Sequence, residues 1–392
     1  ALTGLDEERA IIRSIKKSHK TRNWQEAEEG KLFSSEAAKF LGVKYGILTN
    51  SGSSAGLLAL SSLELPQGSE VIISAVTFPT IFNIVLQCNL IPVVVDAKVG
   101  TYGFDIEDVE KAITKKTKAI IAIHPLGNPV DMPRLMKLVK KQKQKIYVIE
   151  DVCDGLGGTI DDKYLGSFGD INFTSFHAAH IISMGVGGGV FTNNKDLAKK
   201  VRMYRDWGRQ ADINKSENKK HKSLPKDFNP RFIYEKIGYN FQILELQAAM
   251  GRVQLRKIDK IKKARKKNFD YLYEHLSELG WLKEDDIGYI LELPETLPAA
   301  DVCWFAFPIT YDGNRGKLLK YLEKHGIETR PLFSGNITKH PAYRNSKFRI
   351  SGKLDGADHI TKHSFWISLH PSLTKVDLKY IIKTFDGFFK KT

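Results

Sequence analysis

Cysteine is scarce in this chain: Cys88, Cys153 and Cys303 are the three among 392 residues. So few thiols argue against a disulfide scaffold and fit a reducing compartment. Nor can they supply the four thiolates that ordinary iron–sulfur clusters and all-cysteine zinc sites use. Long apolar runs are missing too, and none approaches the roughly 18 residues of a membrane span. The stretch ALTGLDEERAIIRSIKKSHK at the start is charged and lacks the apolar middle of a signal peptide. A cytoplasmic protein with no membrane partner is expected. No internal repeat or low-complexity segment interrupts the chain.

What is present is the balance of a globular protein with a large core, 42% hydrophobic and 27% charged. The length allows two to three ordinary domains, or one large subunit with a smaller lobe. Lys and Arg outnumber Asp and Glu by 60 to 45, a net charge of +15. Such an excess suits either a phosphorylated small molecule or a nucleic acid. The densest basic stretches are Lys137–Lys145 and Arg256–Lys267. In the second, Ile258, Ile261 and Leu272 fall near helical spacing, so the lysines read as the wet face of an amphipathic helix. Interleaved aromatic and basic residues are missing, and no nucleic-acid partner is expected.

Between about 45 and 195, short β-rich runs alternate with helical stretches. The runs are YGILTN (45–50), EVIISAV (70–76), IPVVVDA (91–97), TKAIIAIHP (117–125) and KIYVIED (145–151). Apolar runs separated by helices indicate parallel strands buried on both faces. DIEDVEKAI (105–113) opens with an aspartate suited to cap a helix. INFTSF (171–176) and GGVFTN (188–193) have no long helix between them and suit local pairing. The sum is about seven strands in a three-layer α/β domain with a mostly parallel sheet. The polar interlude 209–235 reads as a long loop over a site or an interface. A helical run over 243–277 follows, and 280–392 mixes strands and helices in a smaller α/β lobe.

Three stretches carry chemistry. Asn50-Ser51-Gly52-Ser53-Ser54-Ala55-Gly56 follows a strand and opens a helix, a place where backbone N–H groups and small hydroxyls cradle phosphate. Ordinary Gly/Ser turns look the same. Glu150-Asp151 ends the fifth strand, where ligands of open α/β sheets bind. A buried acid there can hold a protonated ring nitrogen, or simply cap the next element. Finally, Thr174–Gly189 brings a hydroxyl, His177, His180 and a glycine cluster after a strand. His-x-x-His is half of a metal site, but no further ligand stands at helical spacing.

The order of these pieces resembles the DegT/DnrJ/EryC1/StrS family of pyridoxal-phosphate (PLP) sugar aminotransferases over nearly the whole chain. The likeness continues through Gly238-Tyr239-Asn240, Gln247-Ala248-Ala249 and Gly326–Pro331. In that family the position of His180 holds the lysine that links covalently to PLP. A histidine there resembles the 3-dehydratase branch, whose members act on CDP- or GDP-linked 4-keto-6-deoxy sugars. Leu126–Pro129, Arg205–Arg209, Leu332–Asn336 and Phe365-Trp366 are similar to the same branch.

The resemblance implies a fold-type I PLP enzyme, aspartate aminotransferase-like. It implies a large cofactor domain over 1–255, a small domain over 256–392, and a homodimer with shared active sites. The activity implied is C3-deoxygenation of a nucleotide-linked 4-keto-6-deoxyhexose, a step of dideoxysugar and lipopolysaccharide O-antigen synthesis. Without the lysine, pyridoxamine phosphate (PMP) is the working form of the cofactor. His180 is then the catalytic residue: an imidazole can take a proton near neutral pH and hand it to the departing oxygen. Asp151 pairs with the pyridine nitrogen and Phe78 stacks on the ring. Gly52, Ser53, Ser54 and Ser175 bind the phosphate, Asn240 reaches in from the second subunit, and His177 and Arg330 contact substrate.

The CDP-sugar enzymes of this branch use a two-iron cluster fed by a partner reductase. Its ligands would fall at Cys153, Ala211, Ile213 and a position in the loop beyond, and only Cys153 is a cysteine. Neither an iron–sulfur cluster nor a reductase partner is expected. Product then leaves by hydrolysis with ammonia, and the cofactor is re-aminated by glutamate or exchanged for free PMP. Gln242 stands where many relatives carry a basic residue for the donor carboxylate. Two other readings remain: an aminotransferase whose lysine has been replaced, and a non-catalytic basic binding protein on the same scaffold.

Overall fold

The computed structural model describes residues 2–209, 223–225, 228–279 and 291–390. Its main sheet joins β1 (Tyr45–Thr49), β2 (Glu70–Ser74), β3 (Ile91–Val95), β4 (Thr117–Ile123), β5 (Tyr147–Asp151), β8 (Ile171–Ser175), β9 (Gly188–Thr192) and β14 (Arg349–Ile350). The spatial order is β1-β9-β8-β5-β4-β2-β3-β14. Only β9 runs against its neighbours, between β1 and β8. The short β8–β9 connection makes this possible, because parallel neighbours need a long crossover. The seven strands expected from the apolar runs are all present, and the eighth is the two-residue β14.

Side chains alternate across this sheet. Val71, Ile73, Val94, Ala119 and Ile121 enter one core with residues of α3 (Gly52–Ser61), α4 (Pro79–Gln87) and α7 (Lys195–Arg205). Ile72, Val93, Val95, Ile120 and Val148 enter the opposite core with α5 (Ile106–Ala112) and α6 (Met132–Lys140). Burial on both faces is why these strands are apolar at every position, and it makes the three layers. Asp105 caps α5 as expected, its carboxylate accepting from Ile106 N at 3.1 Å. Near the start, α1 (Leu5–Thr21) and α2 (Glu28–Phe40) pack on α8 (Glu245–Arg256).

The expected run 243–277 is two helices, α8 and α9 (Ile258–Glu278). They part at Lys257, whose N–H bonds the Gln254 carbonyl three residues back, a tightened turn that ends α8. Ile258, Ile261 and Leu272 are buried, as the spacing predicts. One basic residue of that stretch departs from the solvated face. Arg265 is 3% exposed and donates to the carbonyls of Trp304 and Phe305, which a lysine-like wet position would not do.

A second sheet of order β10-β12-β15-β13 comprises β10 (Leu291–Glu292), β12 (Ala306–Tyr311), β13 (Thr329–Pro331) and β15 (Ser364–Ser368). α9, α10 (Arg315–Lys324) and α12 (Lys375–Phe389) cover one side of it around Phe307, Ile309, Phe365 and Phe385. α11 (Asp355–His363) packs against β12 and β15. A small third sheet joins β6 (Thr159–Ile160) and β7 (Lys163–Tyr164) to β11 (Ala300–Asp301). Most of the polar interlude 209–235, with Ala211 and Ile213, lies outside the described residues. No helix among the described residues is long and apolar enough to cross a membrane.

Candidate active site

The carboxyl ends of β4, β5 and β8 and the N-termini of α3 and α4 enclose a cavity of about 440 Å³. Its position beyond the strand ends follows the general rule for open α/β sheets. Gly52, Ser53, Phe78, Asp151, Ser175, His177 and His180 all line it. The structure therefore brings together residues spread over nearly 130 positions of sequence.

The glycine cluster has a packing reason. A Cβ on Gly52 would sit 2.6 Å from Ser175 Cβ, and one on Gly188 would sit 2.4 Å from Ser51 O. Only hydrogen at these positions lets the N-terminus of α3 press against the end of β8. There Ser51 caps α3 by accepting from Ser54 N at 3.1 Å. Ser53 Oγ shares a hydrogen bond of 2.7 Å with Thr80 Oγ1, tying the starts of α3 and α4 together. The α3 N-terminus with the hydroxyls of Ser53, Thr80 and Ser175 presents donors suited to an anion.

Ser54 is placed differently from its neighbours. Its hydroxyl accepts from Ser51 Oγ at 2.9 Å, and the residue does not line the cavity. Asn240 and Arg330 also stay off the lining in this chain. Asn240 is exposed and bridges Asp206, while Arg330 is held by Glu328. Gln242 donates to Asp206 Oδ1 at 2.9 Å.

Asp151 is 7% exposed at the end of β5, and its Oδ1 accepts from Cys153 N at 3.0 Å. Burial pushes its carboxyl up to about 6, and the nearby Asp154 charge adds to this, against relief from Cys153 and His124. No lysine or arginine bonds it among the described residues. Burial likewise carries the Cys153 thiol well above its ordinary range, with Asp151 adding to it. Glu150 has a structural task, since its carboxylate accepts from the N–H groups of Gly166, Phe168 and Gly169. Phe78 caps nothing with its side chain and stands 58% exposed beside the cavity.

His180 sits on a compact turn in which its N–H bonds His177 O and Met184 N–H bonds Phe176 O. Its Nδ1 lies 3.2 Å from Asp154 Oδ1, with 22% of the side chain exposed. His177 Nδ1 accepts from Ala179 N and so is spent on its own turn. Among the described residues no group of three ligands forms around this His-x-x-His pair. Sequence reasoning missed Thr80, His124, Asp154 and Phe333, which also line the cavity. His124 directly follows β4, so the strand-end rule was the signal available for it, whereas Asp154 lies three residues past the end of β5.

These features fit a pyridoxal-type cofactor. A buried carboxyl that holds its proton to about pH 6 suits a partner that brings a positive ring nitrogen. The donors at the start of α3 suit a phosphate, and an exposed phenyl face offers a flat platform. No lysine lines the cavity among the described residues.

The class follows from comparison. The pattern of the DegT/DnrJ/EryC1/StrS aminotransferase family matches residues 5–386, and the chain belongs to that family. Within it, the chain is 38% identical to the lipopolysaccharide biosynthesis protein RfbH of Salmonella typhimurium, over 91% of this chain and 84% of that one. It is 36% identical to the dTDP-4-dehydro-2,6-dideoxy-D-glucose 3-dehydratase of Saccharopolyspora spinosa, over 92% and 80%. In three dimensions it matches a GDP-4-keto-6-deoxymannose-3-dehydratase with a trapped PLP-glutamate geminal diamine. That match has a TM-score of 0.86, 25% identity and 98% coverage of both chains.

Proposed function

We propose that this chain is a PMP/PLP-dependent 3-dehydratase of a nucleotide-linked 4-keto-6-deoxyhexose. The observation that carries the reading is His180, backed by Asp154, in a cavity whose described lining contains no lysine. The 3-dehydratases among the relatives support it. The cofactor, when bound as PMP, supplies an amine for the sugar ketone and a ring that accepts the electron pair.

The chain's own residues do the rest. Asp151 keeps the ring nitrogen protonated and Phe78 covers one ring face. Gly52, Ser53 and Ser175 hold the phosphate. Ser54 holds the cap that aims the α3 N–H groups. Asp154 stands 3.2 Å from Nδ1 of His180 with no hydrogen bond formed between them, and a small shift that closes the bond would leave Nε2 as the base. His180 takes a proton there and delivers it to the oxygen leaving carbon 3. His177 contacts the substrate from the cavity wall, Arg330 would reach it only by leaving Glu328, and Asn240 serves the site of a second copy in a homodimer. On this reading 1–255 binds the cofactor and 256–392 closes the cavity, where Phe333 lies.

The three cysteines cannot hold a two-iron cluster. The reaction therefore needs no reductase: a 3-deoxy-4-keto sugar and ammonia leave by hydrolysis, and glutamate or exchange for free PMP restores the amine. Incubation with PMP and CDP- or GDP-4-keto-6-deoxyhexose, read by mass spectrometry, tests this. Ammonia and a 3-deoxy sugar are expected without reductase, whereas a 4-amino sugar would assign the chain to the aminotransferases.

A further inference from the structure

On the side of the second sheet away from α9 and α12, three side chains converge that the cofactor site does not use. Asp312 follows β12, and His359 and His363 lie one turn apart on α11, so both rings leave the helix on the same face. One ligand atom from each lies within 4.8 Å of the other two. His359 Nε2 is 2.9 Å and His363 Nδ1 is 3.6 Å from Asp312 Oδ1. The two rings stack with centroids 4.5 Å apart. Ligands about 2.0–2.1 Å from a tetrahedral ion stand roughly 3.3 Å from one another, and the 2.9 Å between His359 Nε2 and Asp312 Oδ1 is close to that value.

A plain ion pair accounts for the cluster poorly. Asp312 Oδ1 is buried and receives no well-formed hydrogen bond, which leaves an acceptor unsatisfied. His363 Nδ1 donates to Tyr311 O at 3.0 Å, which leaves Nε2 as the nitrogen of that ring open to a metal.

We propose that Asp312, His359 and His363 bind one divalent transition-metal ion of the zinc or cobalt type. Two imidazoles and one carboxylate suit such ions better than calcium or magnesium, which take all-oxygen sets. The ion clamps α11 to the end of β12. That clamp reaches the cofactor cavity. Asn336 N donates to Thr361 Oγ1 and Asn336 Nδ2 to Asp358 Oδ1, both at 2.7 Å, so α11 carries the loop that begins at Phe333 in the cavity wall.

The test uses the full chain and Co²⁺, whose visible absorption reports tetrahedral coordination, with equilibrium dialysis for stoichiometry. The chain should bind one Co²⁺ saturably, and Zn²⁺ should displace it and raise the melting temperature. The double variant H359A/H363A should lose that binding and the thermal shift, while H177A keeps both. If the double variant misfolds by circular dichroism, H359N alone, which leaves the Tyr311 bond intact, must show the same loss. Binding that survives these changes, or no saturable binding by the native chain, overturns the proposal.

Discussion

Replacing Asp151 by asparagine should stabilise the cofactor-free protein at neutral pH and weaken the cofactor-loaded one. The carboxyl is raised from an ordinary 3.8 to about 6 by burial. A shift of about two units corresponds to about 3 kcal/mol. The sign follows from proton linkage. A carboxyl with a raised folded-state pKa favours folding fully below about pH 4 and loses that contribution as pH rises through about 6. Asparagine has no such loss and can still accept from Cys153 N. Urea unfolding of cofactor-free protein at several pH values from about 4 to 8 reads the difference between native and variant. It should grow by about 3 kcal/mol across that range in favour of Asp151→Asn. With PMP bound the ring nitrogen partners the carboxylate, so the slope should shrink and the variant should release cofactor faster. A difference flat with pH, or one growing in the opposite sense, refutes the reasoning.

Other changes read the remaining parts of the site. Borohydride with PLP should leave native protein unlabelled, whereas His180→Lys should retain a pyridoxyl group at position 180; a stable adduct on another lysine of the native chain would remove His180 from its role. Asp154→Asn should lower kcat about 10–100-fold with cofactor binding unchanged, because it acts on the orientation of His180; an unaltered kcat would make the 3.2 Å approach incidental. Gly52→Ala must displace Ser175 or α3 and should cost about 1–3 kcal/mol in denaturant unfolding, with weaker retention of cofactor. Equal stability and retention would mean that the contact relaxes freely.

The parallel strands were legible because burial on two faces leaves an unbroken apolar run, and EVIIS and IPVVV announce themselves. Asp105 was legible as a cap for a similarly local reason. β14 was not, since two residues carry no period and their pairing with Val93 and Val94 depends on the whole intervening chain. Within the site, the Ser/Gly turn, Asp151 and the loop of His180 follow strands directly and could be found one at a time. Asp154 could not be singled out: three residues past Asp151, only the turn after β5 decides that it meets His180 rather than solvent. Ser54 shows the converse, a hydroxyl at the expected helix start that cap geometry turns toward Ser51.

β14 also bears on how the chain can be cut. It covers the outer edge of β3, and Arg349 reaches back to Glu70 with bonds of 2.9 and 3.1 Å. Until those late residues arrive, Ile91–Val95 is an uncovered apolar strand, the kind of edge that recruits other chains. The first 255 residues expressed alone would expose it permanently. Growing chains face the same hazard during synthesis. Solubility of the first 255 residues is in this sense underwritten by two residues near position 350.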